Sequence, residues 1–239
     1  METAIILAGG KGTRMLPLTE KVPKVLIEVN GRPFLYYVLE NLRKSGYERF
    51  GVVAGYKKDQ IKEFLKTGKY QAEIIEQPEA LGTADAVYKA KDFVGQNNFT
   101  VLNGDNLISA EDLKNMIEND GKMHVAGYRV EDPSKYGVFI IEGDRLIKIV
   151  EKPQEYVGDM INTGLYRFTP KIFNYIDKIG KSARGEFEIV DAITLAARDG
   201  EVKVKKISLF WKDFGCKEDI PKMEEFIREE QLVLSCQRT

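Results

Sequence analysis

The sequence predicts an α/β fold, with three layers α/β/α around a mixed, mostly parallel central sheet. Two patterns carry that reading. Through the first half, short apolar runs that end in glycine or polar turns alternate with helical segments, the signature of repeated β-α-β units. Through the second half, β-rich segments lie closer together and include a hairpin turn, so antiparallel strands join the sheet there.

Each element follows from local chemistry. Ala4 to Ala8 is a short apolar run before glycines and reads as a strand buried on both faces. Pro33 to Ser45 has apolar residues at helical spacing, proline at its start and Gly46 at its end. Phe50 to Ala54 is the second strand, Asp59 to Lys66 a short amphipathic helix stopped by Gly68, and Glu73 to Glu76 the third strand. Thr83 to Phe93 reads as one helix, and Phe99 to Leu102 as a strand running into Asn103-Gly104-Asp105. His124 to Val130, Gly137 to Glu142 and Leu146 to Val150 are strands, with Glu142-Gly143-Asp144-Arg145 as a hairpin turn. Ile161 to Phe168 and Val202 to Ile207 are strands, while Pro170 to Ile176, Phe187 to Arg198 and Asp219 to Leu234 are helices. There is no internal repeat or low-complexity tract. In a parallel sheet with right-handed crossovers, ligands bind beyond the carboxyl ends of the strands. Each candidate motif of the first half begins at such an end.

The totals narrow the function. Across 239 residues, 43% are hydrophobic and 31% charged, ordinary values for a globular protein. A net charge of −1 supplies no general attraction to nucleic acid or to an acidic membrane, so cations matter only as local clusters. No long apolar span is present, and Met1-Glu2 opens into the first strand; neither a signal peptide nor a membrane helix is expected. Cys216 and Cys236 lack metal spacing and read as reduced thiols of a cytoplasmic protein. His124 is the one histidine, which disfavours histidine-based metal or triad chemistry.

The stretch from Ile5 to Lys24 holds the strongest signal. Gly9, Gly10 and Gly12 allow a tight loop whose backbone N–H groups can face an anion, and Lys11, Arg14 and Lys24 add cations, so the guest is strongly anionic, such as a triphosphate. The dinucleotide fingerprint fails, because from Gly10 its third glycine position holds Met15 and the second strand ends Val53-Ala54-Gly55 without an acid. The P-loop fails too, because Gly12 follows Lys11. What remains is L-A-G-G-K-G-T-R-M-L-P-L-T followed by P-K. This resembles the opening motif of the sugar-1-phosphate nucleotidyltransferases, the nucleoside-diphosphate-sugar pyrophosphorylases. The fold that the resemblance implies is Rossmann-like, of the nucleotide-diphospho-sugar transferase type.

Further motifs match in the family's order. V-L-N-G-D-N carries Asp105, which the resemblance makes a magnesium ligand, and W-K-D-F-G carries Asp213, the second carboxylate. Two carboxylates suit Mg²⁺, which completes its octahedron with water and phosphate oxygens. A glycosyltransferase D-x-D motif is missing, since Asp105-Asn106-Leu107 stands there. Gln77-Pro78-Glu79-Ala80-Leu81-Gly82-Thr83-Ala84 is similar to the family's base-reading segment, in which the glutamine amide and a glycine backbone group meet the base. An amide offers a donor and an acceptor together, as the imide edge of uracil or thymine requires. On the residues alone, this segment is equally a loop with Thr83 as a helix cap. The resemblance assigns Leu7, Ala8, Gly9, Gly10, Gly12, Thr13, Arg14, Gln77, Leu81, Gly82 and Thr83 to the nucleotide. It assigns Gly137 of Y-G-V, Glu151 and Lys152 of E-K-P, and Asn162, Thr163 and Gly164 of N-T-G-L-Y to the sugar phosphate. Arg184-Gly185-Glu186-Phe187-Glu188 with Asp191 also matches, and is expected to cap and pack the following helix.

The implied reaction is attack of a sugar-1-phosphate oxygen on the α-phosphorus of a nucleoside triphosphate. The attacking group is already anionic, so no general base is needed; Arg14, Lys24, Lys152 and Mg²⁺ on Asp105 and Asp213 manage the charge. dTTP or UTP with glucose-1-phosphate is the expected pair. N-acetylglucosamine-1-phosphate uridylyl transfer, mannose-1-phosphate guanylyl transfer and a non-catalytic regulatory subunit are the alternatives. Residues 1–239 are expected to form one nucleotidyltransferase domain, with a nucleotide-binding half over 1–106 and a sugar-binding half over 107–239. Longer relatives add a C-terminal β-helix for which the chain leaves no room, so acetyl transfer is not expected. Relatives are often dimers or tetramers, which makes a homo-oligomer one expectation.

Overall fold

The computed structural model describes residues 1–236. In chain order, β1 (Glu2–Leu7) leads through three 3-10 turns into a small ladder of β2 (Glu28–Val29) and β3 (Arg32–Pro33). α1 (Phe34–Lys44), β4 (Tyr47–Ala54), α2 (Lys58–Thr67) and β5 (Ala72–Glu76) follow. Next come α3 (Thr83–Lys89), α4 (Lys91–Val94), β6 (Phe99–Asn103), β7 (Asn106–Ile108) and α5 (Ala110–Asn115). The second half contains β8 (Met123–Arg129), β9 (Gly137–Glu142), β10 (Arg145–Glu151), β11 (Met160–Phe168), α6 (Ile172–Ile176) and α7 (Ile189–Arg198). β12 (Val202–Lys206), β13 (Trp211–Asp213) and α8 (Asp219–Cys236) complete the described chain.

Nine strands form one sheet in the order β5-β4-β1-β6-β11-β8-β12-β10-β9. β5, β4, β1 and β6 are parallel. β11 runs against β6 and β8, and β10 runs against β12 and β9, so the remaining strands share one direction. This is the mixed, mostly parallel sheet expected, and the β9–β10 hairpin falls where its turn residues predict.

Strand alternation builds the three layers. Ala4 and Ile6 of β1 join a core with Phe34, Leu35, Val38, Leu39 and Leu42 of α1, Ile61 of α2, Leu113 of α5 and Met223 of α8. Ile5 points the other way, into a core with Val87 of α3, Phe173 of α6, and Ile189, Ile193 and Ala196 of α7. β1 is apolar toward both layers because a parallel strand covered on both faces has no solvent side. α1 ends as its sequence asks, with Ser45 closing the last turn and Gly46 at φ 91°, a left-handed value that glycine tolerates.

The structure departs from expectation in several places, among them β2, β3 and α5, which the sequence reading does not include, and α7, which starts at Ile189 rather than Phe187. The helix expected over 83–93 is two pieces, because the N–H of Ala90 bonds to Val87 three residues back and tightens the turn before α4 restarts. β7 and β13 are additional strands. Each is three residues long, and they stabilise one another as a two-stranded ladder rather than through their own sequences. α6 starts at Ile172 rather than Pro170. Among the described residues no helix is long and apolar enough to cross a membrane. Cys216 is a free, half-buried thiol, whereas the side chain of Cys236 lies outside the described part of the structure.

Candidate active site

The carboxyl ends of β1 and β6 meet over a cavity of about 390 Å³. Leu7, Ala8, Gly9, Gly10, Gly12, Thr13, Arg14, Lys24, Gln77, Gly82, Thr83 and Asp105 line it. These residues come from separate segments of the sequence, and the sheet topology brings them to one place. Ala80, Asn103, Glu186 and Gly215, which stand in the quoted motifs without an assigned role, line it too, as do Val25 and Ala86, which no motif marks. Of the three cations of this stretch, Arg14 and Lys24 line the cavity, and Lys11 is exposed beside it in the chain.

The glycine loop is held by specific contacts. Gly12 has φ 63°, and a Cβ there would lie 2.9 Å from Thr19 Cγ2 and 3.0 Å from Lys24 Cβ. Its carbonyl accepts from the Thr19 hydroxyl at 3.0 Å and from the N–H of Met15 at 2.9 Å. Tyr56 in turn donates to the Thr19 carbonyl at 2.8 Å. These bonds secure the turn that presents Thr13 and Arg14.

Two carboxylates meet at the same end. Lys24 Nζ donates to Asp105 Oδ2 at 2.7 Å, with both side chains partly shielded from water. Gly104 ties this loop to β1, its N–H reaching the Leu7 carbonyl at 2.8 Å. Asp213 arrives on β13 in register with Asn106, and the N–H of Phe214 bonds to the Asp105 carbonyl at 2.8 Å. Desolvation first, and then the Asp105 carboxylate, push Asp213 up to about 6 against the pull of Lys24 and Arg14. Asp213 does not itself line the cavity; its neighbour Gly215 does. Asp105 and Asp213 together are the oxygen donor pair that a hard divalent cation would suit.

At the other wall, Gln77 follows β5 and is 6% exposed. Its amide nitrogen donates to the Gly82 carbonyl at 3.1 Å and to Asp85 Oδ2 at 2.8 Å. The segment from Leu81 to Thr83 is fastened to the loop before α7. Phe187 donates to the Leu81 carbonyl at 2.8 Å, and Ala84 donates to the Phe187 carbonyl at 2.9 Å. The Thr83 hydroxyl accepts from the N–H of Ile189 at 2.9 Å, so Thr83 caps α7 and not its own helix. Residues 184–188, expected to cap and pack that helix, supply no side-chain cap to it; Glu188 at its start bonds instead to Arg184 at 2.7 Å. Glu186 from the same loop also borders the cavity.

The residues assigned to the sugar phosphate gather at the seam of β9, β10 and β11, outside the cavity lining. Gly137 pairs with Glu151 across β9 and β10, and a Cβ on Gly137 would lie 2.9 Å from Glu151 Oε2 and 3.7 Å from Asn162 Cβ. Lys152 is exposed and sits at φ 43°, a left-handed value rare for a side-chain-bearing residue, with its N–H on the Tyr136 carbonyl at 2.9 Å. β11 loses register between Asn162 and Tyr166, and this bulge sets Gly164 at φ 72° against Asn103, which does line the cavity. Thr163 is 1% exposed, and its hydroxyl bonds to the Ala126 carbonyl at 2.8 Å. Its carbonyl accepts from Trp211 Nε1 at 3.1 Å. The Thr163 side chain is therefore internal, which leaves Asn162 and the backbone that follows it as the groups the resemblance assigns to the sugar.

A second acidic group, Glu118, Asp120 and His124, brings ligand atoms within 4.8 Å of one another. It lies at the start of β8, the end of the sheet opposite the cavity. Lys205 pairs with Glu118 and Lys203 with Asp120, while burial lowers the pKa of His124.

A family profile described as nucleotidyl transferase matches residues 3–230. The chain is 36% identical to a bifunctional protein GlmU of Methanocaldococcus jannaschii over 94% of its length, covering 54% of that protein. It is 34% identical to UTP–glucose-1-phosphate uridylyltransferase AglF of Haloferax volcanii, covering 95% of this chain and 97% of that one. The chain thus spans about half the length of the GlmU relatives and nearly all of AglF. A solved protein named as a putative glucose-1-phosphate thymidylyltransferase from Bacillus anthracis superposes with a TM-score of 0.84 at 29% identity, covering 95% of this chain and 96% of that one.

Proposed function

The chain belongs to the nucleotidyl transferase family, and from that premise we propose that it transfers a nucleotidyl group from dTTP or UTP to a sugar-1-phosphate, glucose-1-phosphate first, releasing pyrophosphate. The observation that carries this reading is the cavity itself, which the glycine loop, Arg14, the Lys24–Asp105 pair and Gln77 line together. That lining suits a nucleotide with its phosphates on the cations and its base on the amide. The name of AglF supports the choice of sugar.

The problem such a site must solve is electrostatic, since two phosphates must approach and charge must move onto the leaving group. Arg14, on the glycine loop, stabilises the departing pyrophosphate. Lys24, fixed by Asp105, holds the nucleotide phosphates, and Lys152 holds the phosphate of the sugar. Gly137, Glu151, Asn162 and the backbone at Gly164 hold the sugar hydroxyls. Asp105 and Asp213 would hold Mg²⁺, because Asp213 is raised by burial and by its neighbour Asp105, and a divalent cation relieves that repulsion. When bound there, the ion screens the reacting phosphates. Glu118, Asp120 and His124 are not given that role, because Lys203 and Lys205 already neutralise the two acids. We treat residues 1–239 as one catalytic unit, with β6 and β11 joining its nucleotide-binding and sugar-binding halves.

The test is pyrophosphate release with Mg²⁺ across five nucleoside triphosphates and several hexose-1-phosphates. Turnover with dTTP or UTP and glucose-1-phosphate is expected. Activity confined to GTP and mannose-1-phosphate would overturn the base assignment, and no release under any pair would overturn the transferase reading.

A further inference from the structure

Gln77 could in principle meet a base with either end of its amide, since the two ends differ only in which atom donates. In this fold the choice is already made. The NH₂ end faces two groups that can only accept, the Gly82 carbonyl at 3.1 Å and Asp85 Oδ2 at 2.8 Å. Reversing the amide would set its oxygen against both. Lys89 Nζ lies 3.9 Å from the other oxygen of Asp85, leaving Oδ2 for the amide. Gln77 is itself 6% exposed and pinned through its N–H to the Ala54 carbonyl at 2.9 Å, so the side chain has little room to turn away.

The opposite end, Oε1, has no hydrogen-bond donor among the described residues and points across Gly9, where a Cβ would lie 2.7 Å from it. Both Gln77 and Gly9 line the cavity. The absence of a side chain at Gly9 keeps this oxygen open.

We propose that Asp85 is the specificity-positioning residue of this site: it locks the Gln77 amide so that only an acceptor is offered to the base. The inference rests on the nucleotidyl-transfer reading. An acceptor in that place pairs with the imide N3–H of uracil or thymine. It repels cytosine, whose N3 is a lone pair in the same position. UTP and CTP have the same ring size and phosphates and differ at N3 and at the neighbouring C4 substituent, so the part of their ratio that vanishes in the Gln77→Ala background reports this contact. Asp85 never touches the nucleotide; it acts through Gln77.

The experiment compares UTP with CTP in pyrophosphate release and in direct binding without sugar, for the wild-type chain, Asp85→Asn, Gln77→Ala and the double variant. The amide introduced by Asp85→Asn can donate as well as accept, so of the two acceptors that fix the Gln77 amide only the Gly82 carbonyl still opposes its reversal. The UTP:CTP ratio of kcat/KM is expected to fall about tenfold in Asp85→Asn, mostly through KM, the size of one misplaced hydrogen bond. In the Gln77→Ala background the same change is expected to leave the ratio unmoved. General damage to the fold would lower both nucleotides together and leave the ratio intact. A ratio within twofold of wild type in Asp85→Asn overturns the proposal, as does an equal fall in the Gln77→Ala background. Wild-type protein that binds CTP as tightly as UTP overturns it too. A chain that releases no pyrophosphate yet prefers UTP in binding, and loses that preference in Asp85→Asn, supports the positioning role while overturning the transferase reading.

Discussion

Two groups of acidic residues sit at opposite ends of the same sheet, and their surroundings differ in sign. Asp105 and Asp213 lie at the carboxyl end, where one ammonium, Lys24, bonds one carboxylate and the other is pushed up to about 6 by desolvation and by its neighbour. Glu118 and Asp120 lie at the opposite end and each has its own lysine, which helps hold its pKa low. Proximity of acids is common to both. What distinguishes them is a buried carboxylate raised by its acidic neighbour in spite of Lys24 and Arg14, beside a cavity, and a divalent cation would relieve that.

The largest expected contrast is catalytic. Asp105→Asn and Asp213→Asn should each lower kcat by about a hundredfold or more, whereas Glu118→Gln and Asp120→Asn should stay within about twofold, measured by pyrophosphate release. Equal losses from both groups would erase the distinction. Arg14→Ala sharpens it from the cationic side: kcat should fall about a hundredfold while KM for the sugar phosphate changes by only a few-fold. Unchanged turnover would remove Arg14 from the mechanism.

Stability should separate the groups by sign. Asp213 has a native pKa above its unfolded value of about 4, so between about pH 4 and pH 6 the native state holds a proton that the unfolded chain releases. Stability from this group is therefore full below about pH 4, declines as pH rises, and is lost above about pH 6. In metal-free protein at about pH 8, Asp213→Asn should raise stability by about 2 kcal/mol in urea unfolding. Asp120 is shifted the other way: the Lys122 amide and Lys203 outweigh its desolvation. Asp120→Asn should therefore destabilise modestly at neutral pH. The smallest expected effect is a rise in Tm of a few degrees on adding millimolar Mg²⁺, present in wild type and Glu118→Gln and absent in Asp105→Asn.

Much of this site was legible from residues close together in the chain. The glycine loop, Asp105 at a strand end and the segment from Gln77 to Thr83 declare themselves because each is a turn that follows a strand, where glycine and polar residues interrupt the run. Other features carried no local signal. β7 and β13 are too short to be recognised, and each exists because the other pairs with it. Glu186 stands in a quoted motif expected to serve the following helix, and its place at the cavity comes from the bonding of the loop before α7 to Leu81 and Ala84. Thr163 looked available in its motif, and only its contacts with Ala126 and Trp211 reveal it as internal.

The chain alone determined the α/β class, the alternation of strands and helices and the loops that end at the site, because backbone sterics and apolar periodicity act over a few residues. Tertiary structure decided the strand order, the meeting of Asp213 with Asp105, and the orientation of the Gln77 amide by Asp85. Those outcomes depend on which distant groups share a desolvated space. Desolvation and hydrogen-bond direction exist only once the chain has closed around them.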